Sequence, residues 1–128
     1  MSKMPKNAVV WFEIPVSNLD KAKTFYATVT GHALTDQEMG PNKTAVFGYS
    51  GSEDMDASDA VSGHLYVGKP APKGTGNTVH LAVGNVAEAL KLVAPAGGEV
   101  VSDIIPIPAG RFAYCLDPDG NSIGLFSA

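Results

Sequence analysis

The sequence predicts an α+β fold made of two copies of one βαβββ module. An apolar strand followed by a helix occurs twice, at residues 9–31 and again at 77–98, and short strand-like runs follow each helix. We place module one at about residues 8–68, a linker rich in Pro and Gly at about 69–76 and module two at about 77–127. Because each module alone would expose one face of its sheet, we expect all 128 residues to form a single domain.

Each predicted helix begins at an asparagine and ends at a glycine. Asn18 and Asn85 are good N-cap residues, and they lie 67 positions apart (85 − 18 = 67). Gly31 and Gly98 follow the last turns, where a left-handed C-cap favours glycine. Apolar residues recur between them at helical spacing: Ala22, Phe25, Tyr26 and Val29 in the first helix, and Val86, Ala89, Leu90 and Val93 in the second.

Six short runs predict the remaining strands, at about residues 32–38, 44–50, 62–68, 98–105, 111–117 and 121–127. The segment DPDGN, residues 117–121, separates the last two runs and predicts a tight turn, because proline fixes φ and glycine accepts a positive φ. The single cysteine, Cys115, lies in the apolar run before this turn, which indicates a buried and unreactive thiol.

Composition argues against several classes of function. Apolar residues make up 45% of the chain and charged residues 17%, as is typical of a folded globular protein. A net charge of −4 argues against nucleic acid or an anionic membrane as a partner, since both attract a basic surface. No apolar run approaches the roughly 18 residues that span a bilayer, and the N-terminus lacks the pattern of a secretory signal. With only one cysteine, a cytoplasmic location is expected.

Glu13 interrupts an otherwise apolar strand, VVWFEIPV, at residues 9–16. Side chains alternate along a strand, so Glu13 lies opposite the face that packs on the helix. His80 has the same place in the second copy, 67 positions later (80 − 13 = 67). The two residues are either solvated on a wet sheet face, joined as a structural ion pair, or lining one cleft. We favour the cleft, because the wet-face alternative would also expose Trp11 and Phe126.

The segments IPVSNLDKAKTFY and GRFAYCLDPDGNSIGLF, together with the paired modules, resemble the vicinal oxygen chelate superfamily over about residues 8–127. This superfamily includes glyoxalase I, extradiol dioxygenases and antibiotic-resistance proteins. The resemblance implies that the modules form a curved sheet around a central cleft, with Glu13 and His80 pointing into a shared pocket. It also implies a small-molecule ligand and a homodimer.

Metal-dependent members of this superfamily hold a divalent ion on the inner face through His, Gln or Glu. The matching positions here are Trp11, Thr78 and Gly124, and none of these residue types suits a divalent ion. We therefore expect no metal and no other cofactor. The alternative is a relocated divalent-metal site whose ligands are Glu13, His80 and His64.

The same resemblance extends the predicted ligand-binding set. Trp11 and Phe126 are expected to form apolar walls, while Gly124 leaves room at the floor of the cleft beside Thr78. Arg111, the one arginine of the chain, suits a carboxylate or phosphate on the ligand or, alternatively, a surface ion pair.

Three functions are compatible with these residues. In the first, the protein catalyses proton transfer on a small carbonyl compound, with Glu13 as the base and His80 as the orienting or proton-donating partner. In the second, it binds a small molecule without chemistry, as a resistance protein does. In the third, it is a metal-dependent lyase or dioxygenase with relocated ligands. The sequence leaves open whether it is an enzyme; if it is, a lyase or isomerase-like activity is expected. The acidic loop at residues 51–60 is expected to be solvated at the rim of the cleft.

Overall fold

The computed structural model describes residues 8–39, 42–48 and 62–128. The predicted acidic loop and the end of the strand predicted at 44–50 lie outside the described residues. Module one contains β1 (Trp11–Val16), α1 (Leu19–Thr30), β2 (Leu34–Met39), β3 (Asn42–Phe47) and β4 (Ser62–Val67). Module two contains β5 (Val79–Ala82), α2 (Val86–Val93), β6 (Glu99–Val100), β7 (Ile105–Ile107), β8 (Gly110–Leu116) and β9 (Ser122–Ser127).

The strands form two sheets, one from each module. The first sheet has the order β1-β4-β3-β2, and the second has the order β5-β9-β8-β6, with β7 also paired to β8. In each sheet the first strand of the module pairs in parallel with its last strand, β1 with β4 and β5 with β9. Module one is therefore βαβββ, as predicted.

Module two differs because the run predicted at 98–105 contains only the short strand β6 and the first residue of β7. Between these short strands the backbone N–H of Tyr114 donates to the side-chain hydroxyl of Ser102 at 2.8 Å. The hydroxyl of Ser102 thus accepts a hydrogen bond from β8 that a backbone carbonyl would accept in a regular sheet. This replacement lies where the predicted strand is interrupted.

The asparagine side chains cap both helices as predicted. The Oδ1 atom of Asn18 accepts the backbone N–H of Lys21 at 3.0 Å, and the Oδ1 atom of Asn85 accepts that of Glu88 at 3.0 Å. Each bond satisfies a backbone donor that the first turn of a helix leaves without a partner. Neither helix of the described ranges is long and apolar enough to cross a lipid bilayer.

The two helices end differently. Gly31 terminates α1 with a left-handed φ of 79°, as predicted. The prediction for α2 was wrong, because this helix ends at Val93 and the left-handed glycine is Gly97, with φ 101°, instead of Gly98. Pro95 follows Val93 closely, and proline supplies no backbone N–H to continue the helical bonding.

A single cluster of buried residues joins the two modules. Both helices contribute to it, and so do the helix-facing sides of both sheets; its largest members include Phe25, Tyr26, Leu65, Ile123 and Leu125. Each sheet therefore keeps a second face that points away from this core, which we call its open face. The open face of the first sheet carries Trp11, Glu13 and Pro15 on β1 and Ser62, His64 and Tyr66 on β4. The open face of the second sheet carries His80 and Ala82 on β5, Phe112 and Tyr114 on β8, and Ser122, Gly124 and Phe126 on β9.

The predicted DPDGN turn is present, and it also fastens module two to module one. Buried Asp117 accepts the backbone N–H groups of Asp119 and Asn121 through Oδ1, each at 2.9 Å. Its Oδ2 atom accepts the Tyr26 hydroxyl at 2.6 Å and the Asn121 side-chain amide at 2.9 Å. The same amide donates to the Pro15 carbonyl at 2.8 Å. We call Asp117, Asn121, Tyr26 and Pro15 the Asp117 clamp.

Burial changes the acid–base chemistry of two core side chains. Burial, followed by the Asp117 carboxylate, raises the pKa of Tyr26 well above its ordinary value. Burial raises the pKa of Cys115 to about 11. A thiol with this pKa is almost entirely protonated at neutral pH, which agrees with the predicted unreactive cysteine.

Candidate functional site

Trp11, His64 and Glu13 form a hydrogen-bonded cluster on the open face of the first sheet. The parallel register places Glu13 directly beside His64. The indole Nε1 of Trp11 lies 2.9 Å from Nδ1 of His64, and Nε2 of His64 lies 3.1 Å from Oε1 of Glu13. The histidine is buried, with 4% of its surface exposed. The side chain of Glu13 is 63% exposed, so its carboxylate is open to solvent, whereas the histidine that contacts it is buried.

The geometry of this cluster fixes the tautomer of His64. An indole N–H can only donate, so the Nδ1 atom that faces Trp11 must offer its lone pair. The ring proton of the neutral imidazole then resides on Nε2 and is donated to the Glu13 carboxylate. His64 is consequently a donor to Glu13 and an acceptor from Trp11.

The corresponding face of the second sheet is aromatic. The ring of His80 meets the rings of Phe112 and Tyr114 edge-on, with centroid distances of 5.3 Å and 5.6 Å. Gly124 lies beside His80 in the register of β5 and β9. A Cβ atom at Gly124 would overlap the imidazole of His80, so this ring fills the space that the glycine leaves. The expected room for a ligand at Gly124 is thus occupied by His80.

The remaining predicted ligand-binding residues lie in different places. Thr78 precedes β5, and its hydroxyl is 2.6 Å from that of Ser122 at the edge of the open face. Phe126 is half-buried on the same face, opposite Phe112. Arg111 alternates with Phe112 along β8, so its strand position belongs to the other side of the second sheet. A ligand-binding role for each of these residues stays a prediction.

The recorded contacts of Glu13 and of His80 are with different residues. They lie on different sheets, and each has other contacts: Glu13 bonds His64, whereas His80 packs on Phe112 and Tyr114. Their proposed catalytic roles stay predictions. Sequence analysis joined His64 to Glu13 only as ligands of the alternative metal site and did not predict the direct contact between them. The strand of His64, SGHLYV, carries apolar residues on both faces, so alternation alone could not show which way the histidine points.

The donor set does not suit the divalent ion of the metal-dependent relatives. Glu13 pairs with His64 as His80 pairs with Gly124, so His64 and Gly124 are equivalent positions of the two modules. Trp11 and Thr78 are the equivalent positions on the first strands. These four places offer an indole donor, an imidazole whose Nδ1 is already bound, a hydroxyl and no side chain. In the described ranges, no group of three or more His, Cys, Asp or Glu side chains is placed to hold a metal ion.

A separate cavity of about 460 Å³ lies on the helix-facing side of the first sheet. It is found between the start of α1 and strands β2 and β3, where its lining includes Asp20, Asp36 and Lys43. Asp36 is already paired there with Lys23 at 2.6 Å. The cavity therefore does not include the cluster around Glu13 or any other predicted site residue.

Comparison with protein families gives a match to nearly the whole chain. The family described as the Glyoxalase/Bleomycin resistance protein/Dioxygenase superfamily matches residues 8–125 of this chain. Among curated proteins, "Putative glyoxylase CFP32" of Mycobacterium bovis and its counterpart of Mycobacterium tuberculosis are each 28% identical over 122 residues. The alignment covers 92% of this chain and 44% of each relative, so the chain spans less than half of their length.

Solved structures share the fold. A glyoxalase/bleomycin resistance protein from Streptomyces sp. CB03234 has a TM-score of 0.62 and 26% identity, covering 92% of this chain and 98% of that one. Glyoxalase I from Zea mays has a TM-score of 0.66 and 22% identity, covering 91% and 44%. Hypothetical protein SA1046 of S. aureus has a TM-score of 0.66 and 17% identity, covering 96% and 98%. The predicted α+β fold with its curved sheet is confirmed by these neighbours.

Proposed function

The chain belongs to the Glyoxalase/Bleomycin resistance protein/Dioxygenase superfamily, and from this membership we propose that it binds a small organic molecule without a bound divalent ion. The observation that supports the absence of the ion is the donor set at the four equivalent positions. Trp11 and His64 already hydrogen-bond each other in module one, while Thr78 and Gly124 offer a hydroxyl and no side chain in module two. The ligand would instead meet polar groups of the first sheet and aromatic groups of the second.

Ligand binding in the presence of a chelator tests this proposal. We would screen small aldehydes, ketones and aromatic compounds by thermal shift, with EDTA present and then with zinc or nickel added. A compound that stabilises the protein equally in both conditions supports metal-free binding, because a ligand that prefers the folded state raises the unfolding temperature. Stoichiometric metal in the purified protein, together with loss of ligand binding in EDTA, would refute it.

A second candidate function is proton transfer by Glu13, and the hydrogen bond from His64 favours it. A carboxylate held by a buried donor and still largely exposed is arranged to accept a proton from a bound carbonyl compound. The C–H bond beside the carbonyl breaks, its electron pair moves onto the substrate as an enolate, and the proton passes to Glu13. Return of that proton from Glu13 to the enolate oxygen gives the enol, an isomer of the carbonyl compound.

Substitution of Glu13 separates catalysis from binding. Glu13→Gln removes the base but keeps a similar shape, so turnover should fall about 10²- to 10⁴-fold while the thermal shift by the ligand is retained. Glu38→Gln is the matched control, because Glu38 belongs to the same sheet but lies in register beside Lys43 on its helix-facing side. If the wild-type protein binds a ligand but never converts it, the proposal of catalysis by Glu13 fails and binding alone is the function.

We further propose that a homodimer joins the two kinds of open face. Within one chain Glu13 bonds His64 and His80 packs on aromatic rings, so in the proposed dimer Glu13 of one copy meets His80 of the second copy. Mixing Glu13→Gln protein with His80→Gln protein tests this arrangement. If both variants are inactive alone, a mixed dimer should regain activity by forming one intact site, and a failure to regain activity on exchange of subunits would contradict a shared site.

A further inference from the structure

We propose that Trp11 is a positioning residue for Glu13 and that it acts through the tautomer of His64. The inference rests on the proposed function, in which the Glu13 carboxylate meets the ligand. It assigns a role to the residue that stands where metal-dependent relatives carry a ligand. The chain of contacts runs from the indole N–H to Nδ1 of His64 at 2.9 Å, and from Nε2 of His64 to Oε1 of Glu13 at 3.1 Å.

The direction of the two hydrogen bonds follows from what each group can do. Trp11 has one donor and no acceptor, and Glu13 as a carboxylate has only acceptors. A neutral imidazole between them satisfies both when its proton is on Nε2. The opposite tautomer would turn two donors toward each other at Nδ1 and two lone pairs toward each other at Nε2. The tryptophan therefore makes His64 a donor to the carboxylate.

The burial of His64 stabilises its hydrogen bonds to Trp11 and Glu13. His64 is 4% exposed, so water has little access to replace either bond, and the edge of its ring also meets Tyr66 at a centroid distance of 6.1 Å. A buried polar atom without a hydrogen-bond partner destabilises the folded protein by about 1–3 kcal/mol. The folded state therefore favours the tautomer in which both ring nitrogens are hydrogen-bonded. Glu13 is held by the ring while most of its side chain remains in contact with solvent.

Module two has no comparable arrangement at the equivalent positions. Thr78 replaces Trp11 and bonds Ser122, and Gly124 replaces His64. His80, the equivalent of Glu13, packs on aromatic rings instead. The indole–imidazole pair is thus a feature of module one, where the exposed carboxylate is.

Nuclear magnetic resonance tests the tautomer directly in the wild-type protein. The chain has one tryptophan, so its indole N–H gives a single side-chain signal. We expect a ¹⁵N–¹⁵N coupling between that indole nitrogen and Nδ1 of His64, together with a proton bound to Nε2 of the same ring. His32→Gln and His80→Gln identify the His64 signals by removing the others. A proton found on Nδ1 of His64 would overturn the proposal.

Trp11→Phe then tests whether the tautomer matters for Glu13. The variant keeps an aromatic ring but loses the donor, so the coupling should vanish and the fraction of His64 with its proton on Nδ1 should rise, although Glu13 still favours Nε2–H. Turnover, or ligand affinity where no turnover exists, should fall about ten- to a hundredfold, as when a supporting hydrogen bond of a functional group is removed. Tyr66→Phe, which keeps its ring beside His64, should retain both the coupling and the Nε2 proton.

The outcomes distinguish this inference from the proposed function. A ratio of the two His64 tautomers that is unchanged between the wild-type protein and folded Trp11→Phe would refute the role of Trp11, whatever Glu13 does. If the tautomer changes but Glu13→Gln leaves turnover and binding intact, the proposed role of Glu13 fails while the assignment of the tautomer to Trp11 stands. Should Trp11→Phe not fold, the measurement on the wild-type protein still decides the tautomer.

Discussion

The open faces of the two sheets have the same strand geometry and different chemistry. On the first sheet, Glu13 lies beside His64 and the pair is hydrogen-bonded. On the second sheet, His80 lies beside Gly124, and its ring covers the glycine among aromatic neighbours. The comparison teaches that a repeated backbone register fixes which positions meet, whereas the side chains at those positions decide whether the meeting is polar or apolar.

The two modules also contribute different groups to the hydrogen bonds that join them. The turn at the end of module two reaches across to β1 and α1 through Asp117 and Asn121. It is reinforced by Asp119, whose carboxylate accepts both the backbone N–H and the hydroxyl of Ser17, at 3.0 Å and 2.5 Å. Module two therefore contributes most of the acceptors and module one most of the donors at this junction.

The largest effect is expected from breaking the Asp117 clamp. Asp117→Ala removes acceptors from four donor groups, two of which come from Tyr26 and the Asn121 amide. Leaving such buried donors unpaired should lower the free energy of unfolding by about 3–5 kcal/mol, measured by urea denaturation. Asp103→Ala is the control, because Asp103 is exposed. Equal stability of the two variants would show that the junction does not depend on this carboxylate.

A smaller effect is expected from changing the open face of the second sheet. Gly124→Ala forces the His80 ring to move, because the added Cβ would overlap it. Because His80 is exposed and its ring can turn, this overpacking should cost about 1 kcal/mol of stability, the low end of the usual range, and should shift the ring signals of Phe112 and Tyr114. Gly84→Ala provides a matched control, since a Cβ there meets nothing within 4 Å. Unchanged signals in Gly124→Ala would contradict the packing of His80 over the glycine.

The smallest effect is expected at alkaline pH and concerns Tyr26. Its pKa is raised in the folded protein, by burial first and then by Asp117, whereas the unfolded chain ionises near pH 10. Above about pH 10 the unfolded state releases a proton that the folded state keeps, so stability should fall as pH rises, by at most about 1.4 kcal/mol per pH unit.

Tyr26→Phe should show a shallower alkaline decline than the wild-type protein. It should also be less stable at neutral pH, because Asp117 loses a donor. Urea midpoints measured between about pH 8 and 11 check both statements, with Tyr66→Phe as the control that retains Tyr26. Burial raises the pKa of Cys115 to about 11, so its thiol adds a decline of the same sign from about pH 9 in every variant. An equally steep decline in Tyr26→Phe would contradict the assignment to this tyrosine.

Local signals in the sequence predicted much of the fold. Asn18 and Asn85 cap their helices because the bonds that they make reach only three residues along the chain. Alternation correctly placed Glu13 and His80 opposite the helix-facing sides. Even a local signal failed where two candidates were adjacent: Gly97, and not Gly98, adopts the left-handed conformation after Pro95.

The candidate site was less accessible to sequence reasoning, because its contacts join distant residues. Trp11 and His64 are 53 positions apart, and Tyr26 and Asp117 are 91 apart. No local pattern predicts the register between strands that are so far apart in the sequence, such as β1 and β4. A shift of one residue in that register would turn His64 to the other face of the sheet.

The sequence by itself determined the duplication, the N-caps and the alternation of faces, because these depend on residues within a few positions of one another. Only the tertiary structure decided that Glu13 bonds His64, that His80 covers Gly124 and that Asp117 joins the modules. These pairings depend on how β1 and β4, β5 and β9, and the final turn come together in space. Packing of the shared core fixes those alignments, and the chemistry of the open faces follows from them.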